Sequence, residues 1–482
     1  MHKLVAIGDS LTMGFTSGSI YRADLSYPAM LARALGGRFT YPYFNNDNGT
    51  TGGFPLNIEF LLHKLHGKFP NGIPSYAFPR MIMETNKHLA DVEEHWEKLF
   101  ESPGECYHNQ AVLSYTMQEA YRLDSVTCCS QTDSPKDNWL LFRQIPEKPM
   151  YRAAIRTLCN NGRAVTQLQR VRELSEDGGI ENLIISLGAN NCLGAIIELS
   201  IKVSEEEDLY RQPHERKCNL WLPTHFRQSL EYLASSICEL NIKNVFIATV
   251  PHVTIPPVSR GTPPKSKRGK YYDYYTRPWI WDTSFLPWLH PYLKREDVSL
   301  IDEFIDYYNH SIKTIAKANG WQVIDFCSLL DDIAFRRNEG KIPFKWPDAA
   351  VKALQRNPNT SYLVKDGEPT LDTRYLELAM KSPEEKPAIK AGGLFSLDAV
   401  HPTTFMYGII ADLFLKAMKN KGVTDADGGI PELDWDFITG SDSLLNNPPL
   451  LLRDLRSVLS SLSGKLHGQV FFKVLESFKS NF

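Results

Sequence analysis

The stretch Lys3-Leu4-Val5-Ala6-Ile7-Gly8-Asp9-Ser10-Leu11-Thr12-Met13-Gly14 decides how this chain is read. Leu4 to Ile7 is a short apolar run and reads as a buried strand. Gly8 breaks the run and permits a tight turn; Asp9 and Ser10 follow at once. A serine placed where a strand gives way to a helix carries its hydroxyl at the rim of a sheet. Ligands and chemistry gather at the carboxyl ends of parallel strands. Amides at the start of the next helix would point at a developing anion. Taken alone, the same residues also fit an ordinary Ser/Asp helix cap.

The far end of the chain separates the two readings. Asp398-Ala399-Val400-His401-Pro402 places a carboxylate three residues before a histidine. A hydroxyl nucleophile needs a general base, and the base needs an orienting acceptor. One short loop supplies both if the fold carries it to Ser10. Without Ser10, Asp398 reads as a turn cap and His401 as a satisfied loop histidine.

Between these ends, apolar strand-like runs alternate with helical patterning. Tyr27 to Gly36 reads as a short helix, with Pro28 at its start and Gly36 past its end. Asn45 to Gly53 is a polar loop. Leu56–Leu65 and Met81–Leu99 are helical in pattern, inside an insertion spanning about 37–106. Ala111 to Leu113 reads as the end of a second strand, with Ser114 in the turn beyond it. A helical stretch, Arg163 to Leu174, precedes a strand at Leu183–Leu187, which breaks at Gly188-Ala189-Asn190-Asn191. Further helices fall at Phe226–Leu240, Leu300–Ala318 and Thr404–Met418, and further strands at Val245–Val250 and Trp321–Ile324. Asp325, at a strand end, reads as structural.

Strands this short, rich in Val and Ile and separated by helices, predict an α/β fold with a mostly parallel sheet. A Pro-, Tyr- and Trp-rich stretch from Pro256 to Pro291 interrupts the alternation and reads as a long loop or lid, within an insertion of about 252–296. Its aromatic run from Tyr271 to Trp288 reads as packing. Residues 421–482 are expected as a helical appendix, with a helix at Leu450–Leu462.

Gly8-Asp9-Ser10-Leu11, Asn109 to Ser114 and Gly188 to Asn191 each end a strand with polar residues and a small-residue turn. With Asp398-x-x-His401 they resemble, in order and placement, the motif blocks of the SGNH, or GDSL, hydrolases. The resemblance covers roughly residues 3–420. It implies a flavodoxin-like three-layer α/β/α sandwich and a serine hydrolase of carboxylic esters working through an acyl-enzyme. By that resemblance Ser10 is the nucleophile, His401 its general base and acid, and Asp398 the residue that orients the imidazole. The oxyanion hole would be the Ser10 backbone N–H, a backbone N–H from the second block, and the Asn190 side chain. Such donors sit about 3 Å from the oxyanion, each worth about 3 kcal/mol of barrier.

Two positions depart from the family pattern. Asn191 stands where the family usually has an acid, which leaves the Asn190 amide in place. Ser114 stands at the usual glycine of the second block, where a Cβ narrows the allowed backbone. Gly162, in Asn160-Asn161-Gly162, is the competing candidate for that donor.

The implied chemistry uses no metal and no cofactor, and its substrate is a small-molecule or lipid ester. The aromatic insertion leans toward lipid-like acyl groups. Acyl transfer and carbohydrate ester deacetylation use the same triad. An interaction protein on a decayed hydrolase scaffold is the non-enzymatic alternative.

The 482 residues are 43% hydrophobic and 23% charged, an ordinary globular composition. A net charge of −3 suggests no nucleic-acid surface, and the basic cluster Lys265 to Lys270 reads as a solvated loop. Eight cysteines without a C-x-x-C pair suggest free thiols, with a disulfide from Cys128 or Cys129 the exception to consider. His252 and His290 lack ligand spacing with a carboxylate or cysteine. There is no phosphate loop, dinucleotide fingerprint or G-x-S-x-G elbow. No run of about 18 apolar residues predicts a membrane span. The first strand starts almost at once, so a complete chain is expected to be cytoplasmic, and one trimmed of a signal peptide secreted or periplasmic.

Overall fold

The computed structural model describes residues 1–44, 51–98, 106–132, 149–158, 162–265, 269–280, 282–379 and 387–452. Most of the polar loop at 45–53, Leu99, Cys159, Trp281, the middle of the basic cluster and most of the expected 450–462 helix lie outside them.

Four short strands form one parallel sheet, in the spatial order β1 (Val5–Gly8), β2 (Ile180–Ser186), β3 (Ile242–Ala248), β4 (Gln322–Ile324). Ala6 lies opposite Ile184, Ile185 opposite Ile247, and Ala248 opposite Ile324. On the free side of β1, the segment around Asn109 runs parallel to it. The Ala6 N–H donates to the His108 carbonyl at 2.9 Å, and the Gln110 and Val112 amides donate to the carbonyls of Ala6 (2.8 Å) and Gly8 (3.1 Å). This is the second strand of the sequence reading, reduced to a bridge centred earlier than Ala111. Counting it, the chain-order arrangement is 2-1-3-4-5, the flavodoxin-like order.

Successive side chains of a strand face opposite ways, and β1 shows what that builds. Val5 and Ile7 enter one core with Leu183, Ile185, Val245 and Ile247. Leu4 and Ala6 enter a second with Ile184, Phe246 and Ala248. Burying each such Leu, Ile or Val contributes roughly 1.5–3 kcal/mol.

Short α1 (Ser10–Met13) leaves the sheet directly after β1, and α2 (Tyr27–Ala34) follows. Then come α3 (Gln167–Glu176), α4 (Asn190–Glu198), α5 (Pro223–Cys238), α6 (Arg295–Ala318), α7 (Phe326–Asp332) and α8 (Thr404–Asn420). Helices α3 to α6 cover the first core, while α2, α7 and α8 cover the second. The result is a three-layer α/β/α sandwich. Helix α3 starts later than its periodicity suggests because Thr166 and Gln169 close a capping box there.

The 37–106 region contains the expected helices, at Ile58–Lys68 and Phe78–Lys98. The 252–296 region differs from the expected loop. Arg260–Lys265, Tyr272–Thr276 and Leu293–Lys294 pair as a small antiparallel sheet. Alternation along its middle strand buries Tyr275 and sets the Tyr274 ring tilted against Phe285 and edge-on to Tyr292. Beyond residue 420, helices Trp435–Ser441 and Ser443–Asn446 bring Trp435, Ile438 and Leu445 into the second core. There the Asp442 carboxylate accepts the Phe405 N–H of α8 at 2.7 Å. Cys128 is a buried free thiol, so it does not form the disulfide considered above. Among the described residues, no helix is long and apolar enough to cross a membrane.

Candidate active site

The turn from β1 into α1 is tight enough to require glycine. A Cβ on Gly8 would sit 2.1 Å from Thr12 Oγ1 and 2.8 Å from the Ser186 carbonyl oxygen. Asp9 caps α1, accepting the Leu11 N–H at 3.0 Å, and Gly14 ends the turn in the left-handed region. Ser10 therefore opens α1 at the carboxyl edge of β1. Its own N–H is one of the first helical amides, which have no acceptor within a helix.

Ser10 and His401 meet across 391 positions of chain, with Ser10 Oγ 2.8 Å from His401 Nε2. The other ring nitrogen, Nδ1, is 3.0 Å from Asp398 Oδ2. Serine, imidazole and carboxylate are all buried or nearly so.

The Asp398 carboxylate is held by more than the imidazole. Oδ1 accepts the N–H groups of Val400 (2.9 Å) and His401 (2.8 Å), and Oδ2 also accepts the Gly18 N–H at 2.8 Å. Burial opposes the charge on Asp398. The positive field and hydrogen bond of His401, with these backbone donors, outweigh burial and hold its pKa below the usual carboxylate value. Asp9 has fewer donors. Burial raises its pKa from 3.8 to about 7 against the opposing pull of the Leu11 N–H and His401.

The 396–402 loop is tied from several sides. The Ser396 N–H donates to the His401 carbonyl (2.8 Å), and Ala399 takes a left-handed φ of 65°. Thr16 Oγ1 donates to the Pro402 carbonyl (3.1 Å), and the Phe15 ring lies 4.5 Å from the imidazole. The Val258 N–H, from the insertion, donates to the Ala399 carbonyl at 2.9 Å.

The remaining expected residues divide. Ser114 adopts φ 63°, the left-handed region that favours glycine, so the chain needs that geometry even with a side chain present. Ser114 and Asn190 line one cavity of about 70 Å³, together with Thr116, Met150, Tyr151 and Trp221. Asn190 Nδ2 donates to the Tyr115 carbonyl (3.0 Å) and to Asp9 Oδ2 (3.3 Å). The amide expected to face an oxyanion thus ties the first block to the second. Asn191 Oδ1 accepts the Met117 N–H at 3.1 Å, an acceptor role that an acid would fill equally. Gly162 lies exposed in a turn ahead of α3, with open space where a Cβ would stand, and does not line that cavity.

Asp325 caps α7 through Ser328 and pairs with Lys313 at 3.2 Å, a structural role as expected. His290 Nδ1 accepts the Leu286 N–H. His252 departs from expectation in space. It meets Cys327 and Asp331, 75 and 79 positions away, separations that chain spacing cannot announce. The Gly18 donor, the Phe15 contact and the Asn190–Asp9 tie also left no sequence signal, since each depends on how distant loops dock.

No family profile matches this chain, and no curated protein matches it. Among solved structures, the chain aligns with an extracellular lipase from Streptomyces rimosus at 11% identity and a TM-score of 0.32. The alignment covers 86% of this chain and 100% of that one. That likeness is too distant to bear on activity.

Proposed function

We propose that the protein is a serine hydrolase of carboxylic esters, of the SGNH or GDSL type. The observation that carries this reading is the unbroken relay from Ser10 Oγ to His401 Nε2 (2.8 Å) and from His401 Nδ1 to Asp398 Oδ2 (3.0 Å). In this reading Ser10 Oγ attacks the ester carbonyl while His401 Nε2 takes its proton. Asp398 keeps the imidazole turned and stabilises it when charged. The tetrahedral oxyanion is held by the N–H groups of Ser10 and Ser114 and by the Asn190 amide, which turns from Asp9 to serve it. His401 then protonates the departing alkoxide, leaving an acyl group on Ser10. Water, deprotonated by the same imidazole, releases the acid.

The cavity beside Ser114 and Asn190 carries Met150, Tyr151 and Trp221 on its walls, and its volume suits a short acyl group. The aromatic insertion, which leaned toward lipid-like substrates, places Tyr272 and Tyr275 in a different cleft. Hydrolysis of p-nitrophenyl esters of increasing chain length tests both points, with Ser10→Ala as control. The expected outcome is a rate that falls from short to long chains and vanishes in Ser10→Ala, together with fluorophosphonate labelling at Ser10. A rate intact in Ser10→Ala overturns the mechanism; a rate rising with chain length overturns the acyl assignment.

A further inference from the structure

We infer that His252, Cys327 and Asp331 form a zinc-type metal site separate from the Ser10 centre. The three ligand atoms lie within 4.8 Å of one another, His252 and Cys327 just beyond the carboxyl ends of β3 and β4 and Asp331 near the end of α7. His252 Nδ1 is 3.6 Å from Cys327 Sγ and 2.8 Å from Asp331 Oδ1. Metal bonds of about 2.0–2.3 Å set tetrahedral ligand atoms about 3.3–3.7 Å apart. The Cys–His spacing already fits, and Asp331 needs to withdraw by about half an ångström to admit the ion.

The donor set selects the ion class. A thiolate, an imidazole and one carboxylate suit zinc over calcium or magnesium. Three protein ligands leave a fourth position for water, and half-exposed Asp331 gives a route in.

The surroundings fit a bound cation as well. His252 Nε2 makes no hydrogen bond but lies 3.3 Å from Asp306 Oδ1, near enough for that carboxylate to accept its N–H once the imidazole turns toward a bound ion. Cys327 is held by its backbone N–H, which donates to Thr249 Oγ1 at 2.9 Å. Asp302, Asp306 and Asp331 gather here. Arg337 approaches Asp331 to 3.7 Å but bonds to Asp302 at 2.6 Å, so Asp331 is not its main partner.

This inference does not depend on the hydrolase reading, and its test does not read activity. The full chain, reduced and stripped with chelator, is titrated with Zn(II) alone and with Co(II) alone. The expected result is one equivalent bound, with a thiolate-to-cobalt charge-transfer band. Cys327→Ser and His252→Gln abolish both, and Asp306→Asn, at an exposed side chain, weakens binding about 10- to 100-fold. Absence of stoichiometric binding, a cobalt spectrum without the thiolate band, or affinity unchanged in Asp306→Asn would each overturn the site. The wild-type spectrum and the Asp306 variant decide even if the two ligand variants fail to fold.

Discussion

Two carboxylates flank the same serine–histidine pair, and the protein treats them oppositely. Asp398, beside His401, accepts four hydrogen bonds, three of them from backbone N–H groups. Asp9, beside Ser10, accepts from the Leu11 amide and the Asn190 side chain. Both are buried, yet the pKa of one falls and that of the other rises to about 7. Burial penalises each charge, so the closeness of the His401 imidazole and the supply of donors decide which stays ionised. Position in the sequence does not: each acid lies within three residues of a proposed catalytic group.

The largest expected effect comes from removing the charge that is well held. Asp398→Asn should lower kcat by about 10⁴-fold, by analogy with other triads, with KM for a p-nitrophenyl ester little changed. A loss below tenfold would show that the imidazole is oriented without it. Next is Asn190→Ala, expected to lower kcat by about 10²–10³-fold if its amide serves the oxyanion. Should the rate hold while stability drops, its bond to the Tyr115 carbonyl is the whole of its role.

Asp9 gives the third effect, in stability. Between pH 4 and 7 the folded chain keeps a proton on Asp9 that the unfolded chain has lost. Stability from this group is therefore full below about pH 4 and is lost as pH rises through about 7. The gap between 3.8 and about 7 corresponds to on the order of 4 kcal/mol. Asp398 has the reverse sign, its contribution disappearing as pH falls through its lowered pKa. Urea unfolding of Asp9→Asn should show a gain over wild type at pH 8 that shrinks toward pH 5. A gain independent of pH would mean that Asp9 is not titrating. The smallest effect is Gly162→Ala. Its φ of 82° makes a loss of roughly 1–2 kcal/mol expected, with ester hydrolysis untouched. A matching loss of kcat would return Gly162 to the oxyanion hole in place of Ser114.

The strands were legible because each is a short apolar run closed by a turn residue, and β1 to β4 fall within a few residues of the runs at Leu4, Leu183, Val245 and Trp321. Ser10, Asp398 and His401 were legible because chain order carried them. The small sheet at 260–294 was not, since antiparallel pairing across a Pro-rich segment leaves no clear period. Nor was the charge state of Asp9, which depends on how many N–H groups reach it after folding. His252 shows the same limit: its neighbours are set by where β3 and β4 end.

The 391-residue separation between Ser10 and His401 also has a temporal consequence. Residues are added from the amino end, so the serine emerges first and waits through most of translation for its base. A polypeptide halted before position 398 displays the hydroxyl without the groups proposed to activate it. On the proposed mechanism such a product would carry no ester-cleaving activity. On that mechanism, activity begins only when the loop bearing Asp398 and His401 docks against Ser10.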